Sequence, residues 1–277
     1  IDLSICKWII ISTPVLALII ISSTVRVNVD TILLTKLMSE VDVGIYSAGN
    51  KLVSMFRLGA SSYIMALQPV IFKYSNSQKE LFKRASVDSI RYLFIFIFPI
   101  IVFVMLFSEK IVLIIFKREF LPSANVLRIL IWMVLLYGMN QIFANVLISN
   151  NNQKINLFGN IISAIASIAL NIFMIPKYGY IGAGVAIVLS YSIILLIQNS
   201  AVQKLYFTVN YISLLGKPAL AAIGMGIVLY TCKSMSIMLL VPISLVVFIV
   251  SLFALKTFNQ DDMDLFKKLC FSGKIQS

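Results

Sequence analysis

The feature that most constrains this chain is a succession of apolar segments, several close to twenty residues long, separated by short polar intervals. A helix rises about 1.5 Å per residue, so about 20 apolar residues cross the hydrocarbon core of a bilayer. In hydrocarbon every backbone N–H and C=O has to be bonded within the protein, which leaves helices and closed barrels as the only spanning forms. The runs lack the short alternation of barrel strands. The expectation is therefore an all-α polytopic membrane protein. Composition supports it: 60 % of the residues are hydrophobic and 12 % charged, against about 45–50 % and about 25 % in soluble domains.

Read along the chain, the pattern predicts eight transmembrane helices, at about 8–38, 44–74, 90–107, 124–148, 156–175, 181–201, 214–230 and 238–255. Pro99 predicts a kink in the third. The charged run at 75–89 reads as a loop, 111–116 as an interfacial half-helix, and 207–211 as an amphipathic connection. Residues 1–201 then form a six-helix bundle, 202–258 an extra helix pair, and 259–277 a cytoplasmic tail, solvated or lying on the surface as a helix.

The net charge is +12. Most Lys and Arg residues fall in the connections, where they read as loops held beside anionic lipid; binding of nucleic acid is not expected. Eight crossings return the chain to its starting side, and that side collects thirteen Lys and Arg against seven on the other. The positive-inside rule makes it cytoplasmic. The segment opening on Ile1 shows no signal-peptide pattern and reads as part of a longer protein.

Chemistry is sparse. There is no His, and Cys6, Cys232 and Cys270 stand apart, so neither a metal site nor a disulfide framework is expected. No nucleophile elbow, phosphate-binding loop or paired carboxylates on one helix face appear, and no cofactor or catalytic residue is implied. The informative residues are the ionisable ones inside apolar spans: Arg26 and Asp30 in the first, Lys51 and Arg57 in the second. An Arg, Lys or Asp at the centre of a lone helix costs about 2.5–3.5 kcal/mol on insertion scales, so these should face a bundle interior or a wet cavity.

Counting from the connection near Glu40, Arg26 and Arg57 lie at similar depth, each roughly 20 Å along its helix, and Asp30 and Lys51 form a shallower layer. If the helices are antiparallel neighbours, Asp30 neutralises Lys51 and the two arginines are left without an acidic partner. An alternative is a simple Arg26–Asp30 brace, with Lys51 and Arg57 snorkelling to an interface. An unneutralised arginine pair invites an anion, and the guanidinium fork suits phosphate or pyrophosphate. Asn140, Gln141 and Asn145 on the fourth helix and Asn171 on the fifth are further candidates to line a cavity.

Three passages resemble the polysaccharide exporters and oligosaccharide flippases of the multidrug/oligosaccharidyl-lipid/polysaccharide exporter superfamily. DTILLTKLMSEVDVGIYSAGNKL at 30–52 is similar to the link between the first two helices of that family's second half. FKREFLPSANVLRIL at 116–130 resembles its entry to the fourth, with Lys117 where glycine is more usual. LNIFMIPKYGYIGAGVAIVLSY at 170–191, the most specific, resembles its hairpin between the fifth and sixth.

The resemblance implies the C-terminal part of a fourteen-helix carrier, with an N-terminal bundle elsewhere in the protein. It implies an undecaprenyl-pyrophosphate-linked anionic oligosaccharide as substrate, moved across the cytoplasmic membrane for O-antigen or capsule synthesis. Membrane lipids and the glycan polymerase machinery are the implied partners. Arg26, Asp30, Lys51 and Arg57 would face the cleft between the two halves. The alternatives are a multidrug or other lipid-precursor exporter of the same superfamily, and an intramembrane lipid-sugar polymerase or ligase.

Overall fold

A computed structural model of the chain describes residues 3–75, 78–233, 235–255 and 257, with side chains from Thr13 onward. The α-helices are α1 (Leu3–Leu37), α2 (Glu40–Ser75), α3 (Lys79–Ile115), α4 (Ser123–Ser149), α5 (Gln153–Leu205), α6 (Tyr211–Thr231) and α7 (Ile237–Ala254). A single 3-10 turn, Arg118–Phe120, precedes α4. Among the described residues there is no strand. All but α2 are long and apolar enough to cross a membrane. Lys51, Arg57 and several serines make α2 more polar, so its membrane placement depends on its neighbours.

The eight expected helices are all present, because α5 is two limbs joined at Gly179. There φ is +58° and ψ −139°, a conformation open almost only to glycine. The limbs fold back on one another. Gly159 of the first lies against Ile194 and Ile197 of the second, and Gln198 Nε2 donates to Asn156 Oδ1 at 2.8 Å.

Three details of α3 and its surroundings differ from expectation. The charged run is helical from Lys79 on, since its charges fall at helix-compatible spacings; Arg84 and Asp88 meet at 3.8 Å one turn apart. The backbone stays helical through Pro99 and breaks instead at Phe107, with φ −119° and ψ 17°. After that break the helix continues to Ile115, so the expected short half-helix is its last part. The connection before α6 is extended, and Asn210 caps that helix by accepting from the Ser213 N–H at 3.3 Å. The expected tail helix lies outside the described residues.

The chain forms two compact units. One comprises residues 1–93 and 107–209. Within it α5 packs on α1 and α4, and α4 on α2. Gly49 lets α2 approach α4: a Cβ there would meet Val126 side-chain atoms at 2.8 Å. Beside it, Ser123 Oγ donates to the Ile45 carbonyl at 2.8 Å. At the start of α2, Ser39 Oγ accepts from the Asp42 N–H at 3.3 Å and donates to its carboxylate at 2.7 Å, a side-chain N-cap. The second unit holds the middle of α3, residues 94–106, with α6 and α7. Val102 packs against Gly226 and α6 packs on α7.

The core is apolar, but several polar groups are buried within it and many large apolar side chains face outward. Arg26, Asp30, Asn140, Asn156, Asn160, Asn171 and Gln198 are buried, while Ile20, Leu58, Met65, Phe158, Phe173, Ile212 and Met238 are exposed. Polar groups inside and large apolar groups outside are what hydrocarbon solvent selects.

Candidate functional site

The first limb of α5 carries Asn156, Asn160, Ser163, Ser167 and Asn171, all buried. Steps of three and four residues put them on one face. That face receives α1. Arg26 Nη1 donates to Ser163 Oγ at 2.7 Å and to Asn160 Oδ1 at 3.3 Å. Asn160 Nδ2 in turn donates to Asn156 Oδ1 at 3.0 Å, which also accepts from Gln198. A directed chain of amides thus fixes the guanidinium, whose burial in the bundle would otherwise be unfavourable. Its face lies 4.5 Å from the centroid of the Tyr191 ring, a cation–π contact worth about 0.5–2 kcal/mol.

Arg57, half-buried on α2, sits 6.0 Å from the Tyr137 ring centroid. Tyr137 and Tyr191 meet edge to face at 6.4 Å. Arg26, Tyr191, Tyr137 and Arg57 therefore form one continuous row. They line a cavity of about 430 Å³ together with Asn28 and Gln141, among others. Among the described residues no acidic side chain lines it. A smaller pocket of about 70 Å³ shares Arg26, Tyr137 and Tyr191 and adds Asn140, Asn160 and Gln198.

The expected residues separate accordingly. Arg26 and Arg57 share the larger cavity, and Asn140 lines the smaller, its Nδ2 donating to the Tyr191 carbonyl at 3.1 Å. Asn145 is half-buried and lines neither. The expected Asp30–Lys51 pair is not formed, and neither is the Arg26–Asp30 brace. Asp30 is fully buried and accepts from the Tyr46 hydroxyl and, at 2.6 Å, from the Thr31 N–H. Those donors satisfy the carboxyl without a cation, and Lys51 is exposed on α2.

Sequence reasoning missed Tyr46, Tyr137, Tyr191, Asn156, Ser163 and Gln198. The regular polar spacing from Asn156 to Asn171 was a visible signal for the α5 face. Tyr137 and Tyr191 carried none, because an aromatic in an apolar helix is ordinarily a packing residue.

The fold and the site are those of a polytopic helical membrane protein with a polar, arginine-walled cavity in its bundle. Residues 14–173, more than half of the chain, match the MatE family; the chain belongs to that family. It is 25 % identical over 158 residues to the probable low-salt glycan biosynthesis flippase Agl15 of Haloferax volcanii, covering 56 % of this chain and 33 % of that protein. Its fold is similar to the inward closed conformation of the lipid II flippase MurJ, with a TM-score of 0.74 at 18 % identity, over 84 % of this chain and 51 % of that one. A MATE protein in its bent conformation gives a TM-score of 0.59 at 16 % identity, over 80 % of this chain and 55 % of the other. The chain thus spans about a third of the length of the glycan flippase and about half of each of the two solved structures.

Proposed function

We propose that this chain is the C-terminal part of a flippase that moves an oligosaccharide linked through pyrophosphate to a long prenyl lipid across the cytoplasmic membrane. The observation that carries the reading is the shared cavity of Arg26 and Arg57, whose described lining residues include two cations and no carboxylate. Guanidinium groups pair with phosphate oxygens by charge-assisted hydrogen bonds, and the amide chain behind Arg26 holds one guanidinium already oriented. The diphosphate would sit at the arginines, the sugars in the wet interior and the prenyl chain in lipid. Rocking of this bundle against a second one would expose the cavity to each side in turn, with no covalent bond changed.

The likeness to a glycan biosynthesis flippase supports the same substrate class. Supply of O-antigen or capsule precursors, with both ends of the chain cytoplasmic and a glycan polymerase downstream, completes the reading. A cationic drug as substrate is disfavoured, because such a ligand calls for acidic side chains and the described lining residues include none.

The test is Arg57→Ala in the complete protein. One charge-assisted bond is worth about 1.5–3 kcal/mol, so appearance of lipid-linked glycan in the outer leaflet should fall roughly tenfold to a hundredfold. Unchanged export would remove Arg57 from the path.

A further inference from the structure

The cavity is small for the substrate proposed. At about 430 Å³ it lies toward the low end of the roughly 300–1,000 Å³ that hold one drug-sized molecule. An oligosaccharide bound through its diphosphate at the arginines has to extend beyond it, and the surfaces on the two sides of the arginines differ.

α1 carries Thr24 just before Arg26 and, from Arg26 toward the α1–α2 turn, Asn28, Thr31 and Thr35, all on one face at steps of four, three and four residues. Thr24, Asn28 and Thr35 are exposed and Thr31 half-buried. Thr24 and Asn28 also line the cavity, so the face is continuous with it. The corresponding half of α2 has Ser47 and Lys51 exposed, with Asn50 and Ser54 half-buried. Away from the turn α1 becomes mainly apolar, with Leu16, Leu18, Ile20 and Ile21 exposed, while α2 stays mixed, with Leu58 and Met65 exposed beside Ser62 and Gln68; on the turn side Ile32 and Met55 are the exposed apolar neighbours of the polar face.

Several donor hydrogens on this face are committed. Thr35 Oγ1 donates to the Thr31 carbonyl at 2.8 Å, Ser54 Oγ to the Lys51 carbonyl at 2.6 Å, and Asn28 Nδ2 to the Thr24 carbonyl at 2.8 Å. Oxygen lone pairs are left facing outward, which suits a partner rich in O–H donors. A glycan is such a partner. A phosphate brings acceptors alone and suits this face less.

Resting on the flippase reading above, we infer that the polar halves of α1 and α2 form a track for the sugar chain, running from the arginines toward the α1–α2 turn. From Arg26 to Thr35 it is about 14 Å long at the helical rise. The turn lies on the side with fewer Lys and Arg residues, away from the cytoplasm. The substrate is therefore held with its glycan leading outward and its diphosphate behind, and the track selects for glycan length.

The experiment compares two probes in the complete protein reconstituted in vesicles: one prenyl diphosphate carrying a monosaccharide, and the same lipid carrying a linear pentasaccharide. The variant combines Thr35→Val, Ser47→Ala and Ser54→Ala, all outside the cavity and close in size to the native side chains. Flipping of the pentasaccharide should fall about tenfold, equivalent to about 1.4 kcal/mol, with the monosaccharide within twofold of the unaltered protein. Equal loss for both probes would make these side chains structural, and no loss for either would mean that lipid or a second bundle covers the face; either result overturns the track. If the unaltered protein moved neither probe, the flippase reading itself would fail.

Discussion

At the residue scale the fate of Arg26 decides how the site works. Removing one member of a buried polar pair leaves the other unsatisfied, whereas replacing both by apolar groups is far less harmful. Asn160→Leu should therefore destabilise the protein by about 1–3 kcal/mol, read as a lower unfolding midpoint in detergent. Adding Arg26→Met should recover much of that stability and abolish binding of a prenyl diphosphate. Stability that is simply lost twice, without recovery, would show that Asn160 does not act through Arg26. The sequence made Arg26 and Arg57 legible, because an arginine in an apolar span has to find a polar interior. It did not make Asp30 legible: its partner is Tyr46, sixteen residues on in the next helix, and a tyrosine hydroxyl satisfies a carboxyl without any charge to signal it.

At the scale of elements, apolar run lengths located every helix, because membrane thickness fixes how many residues a span needs. The polar ends were harder. A charged run after α2 looks like a loop, yet charges one turn apart are also good helix formers outside the bilayer, and Lys79 to Ser89 is helix. The α5 hairpin depends on one backbone conformation. No atom lies within 4 Å of where a Cβ on Gly179 would stand, so Gly179→Ala tests conformation free of packing. Strain there should cost about 1–3 kcal/mol. It should also lower flipping, since the hairpin brings Gln198 to Asn156 and Tyr191 to Arg26. An unfolding midpoint equal to that of the unaltered protein would show that the hairpin tolerates another turn geometry.

At the scale of the whole molecule, the side of each connection rests on charge bias. A cysteine introduced at Lys79 of the complete protein should react with a membrane-impermeant maleimide only from the cytoplasmic face, and one at Arg118 only from the other. The reverse pattern would invert the direction assigned to the glycan. A second bundle is an expectation from family resemblance, and in this chain the sign that would accord with it is the exposure of polar residues such as Thr24, Asn28 and Thr35 on α1.

The central claim is that Arg26 and Arg57 together receive an anion in a wetted interior. The most direct measurement is the position of the phosphorus atoms in an experimental structure of the complete protein bound to a prenyl-diphosphate-linked sugar. The account predicts phosphate oxygens within hydrogen-bonding distance of both guanidinium groups, in the cavity walled by Tyr137 and Tyr191. A diphosphate bound elsewhere, with both arginines turned to lipid headgroups, would contradict it.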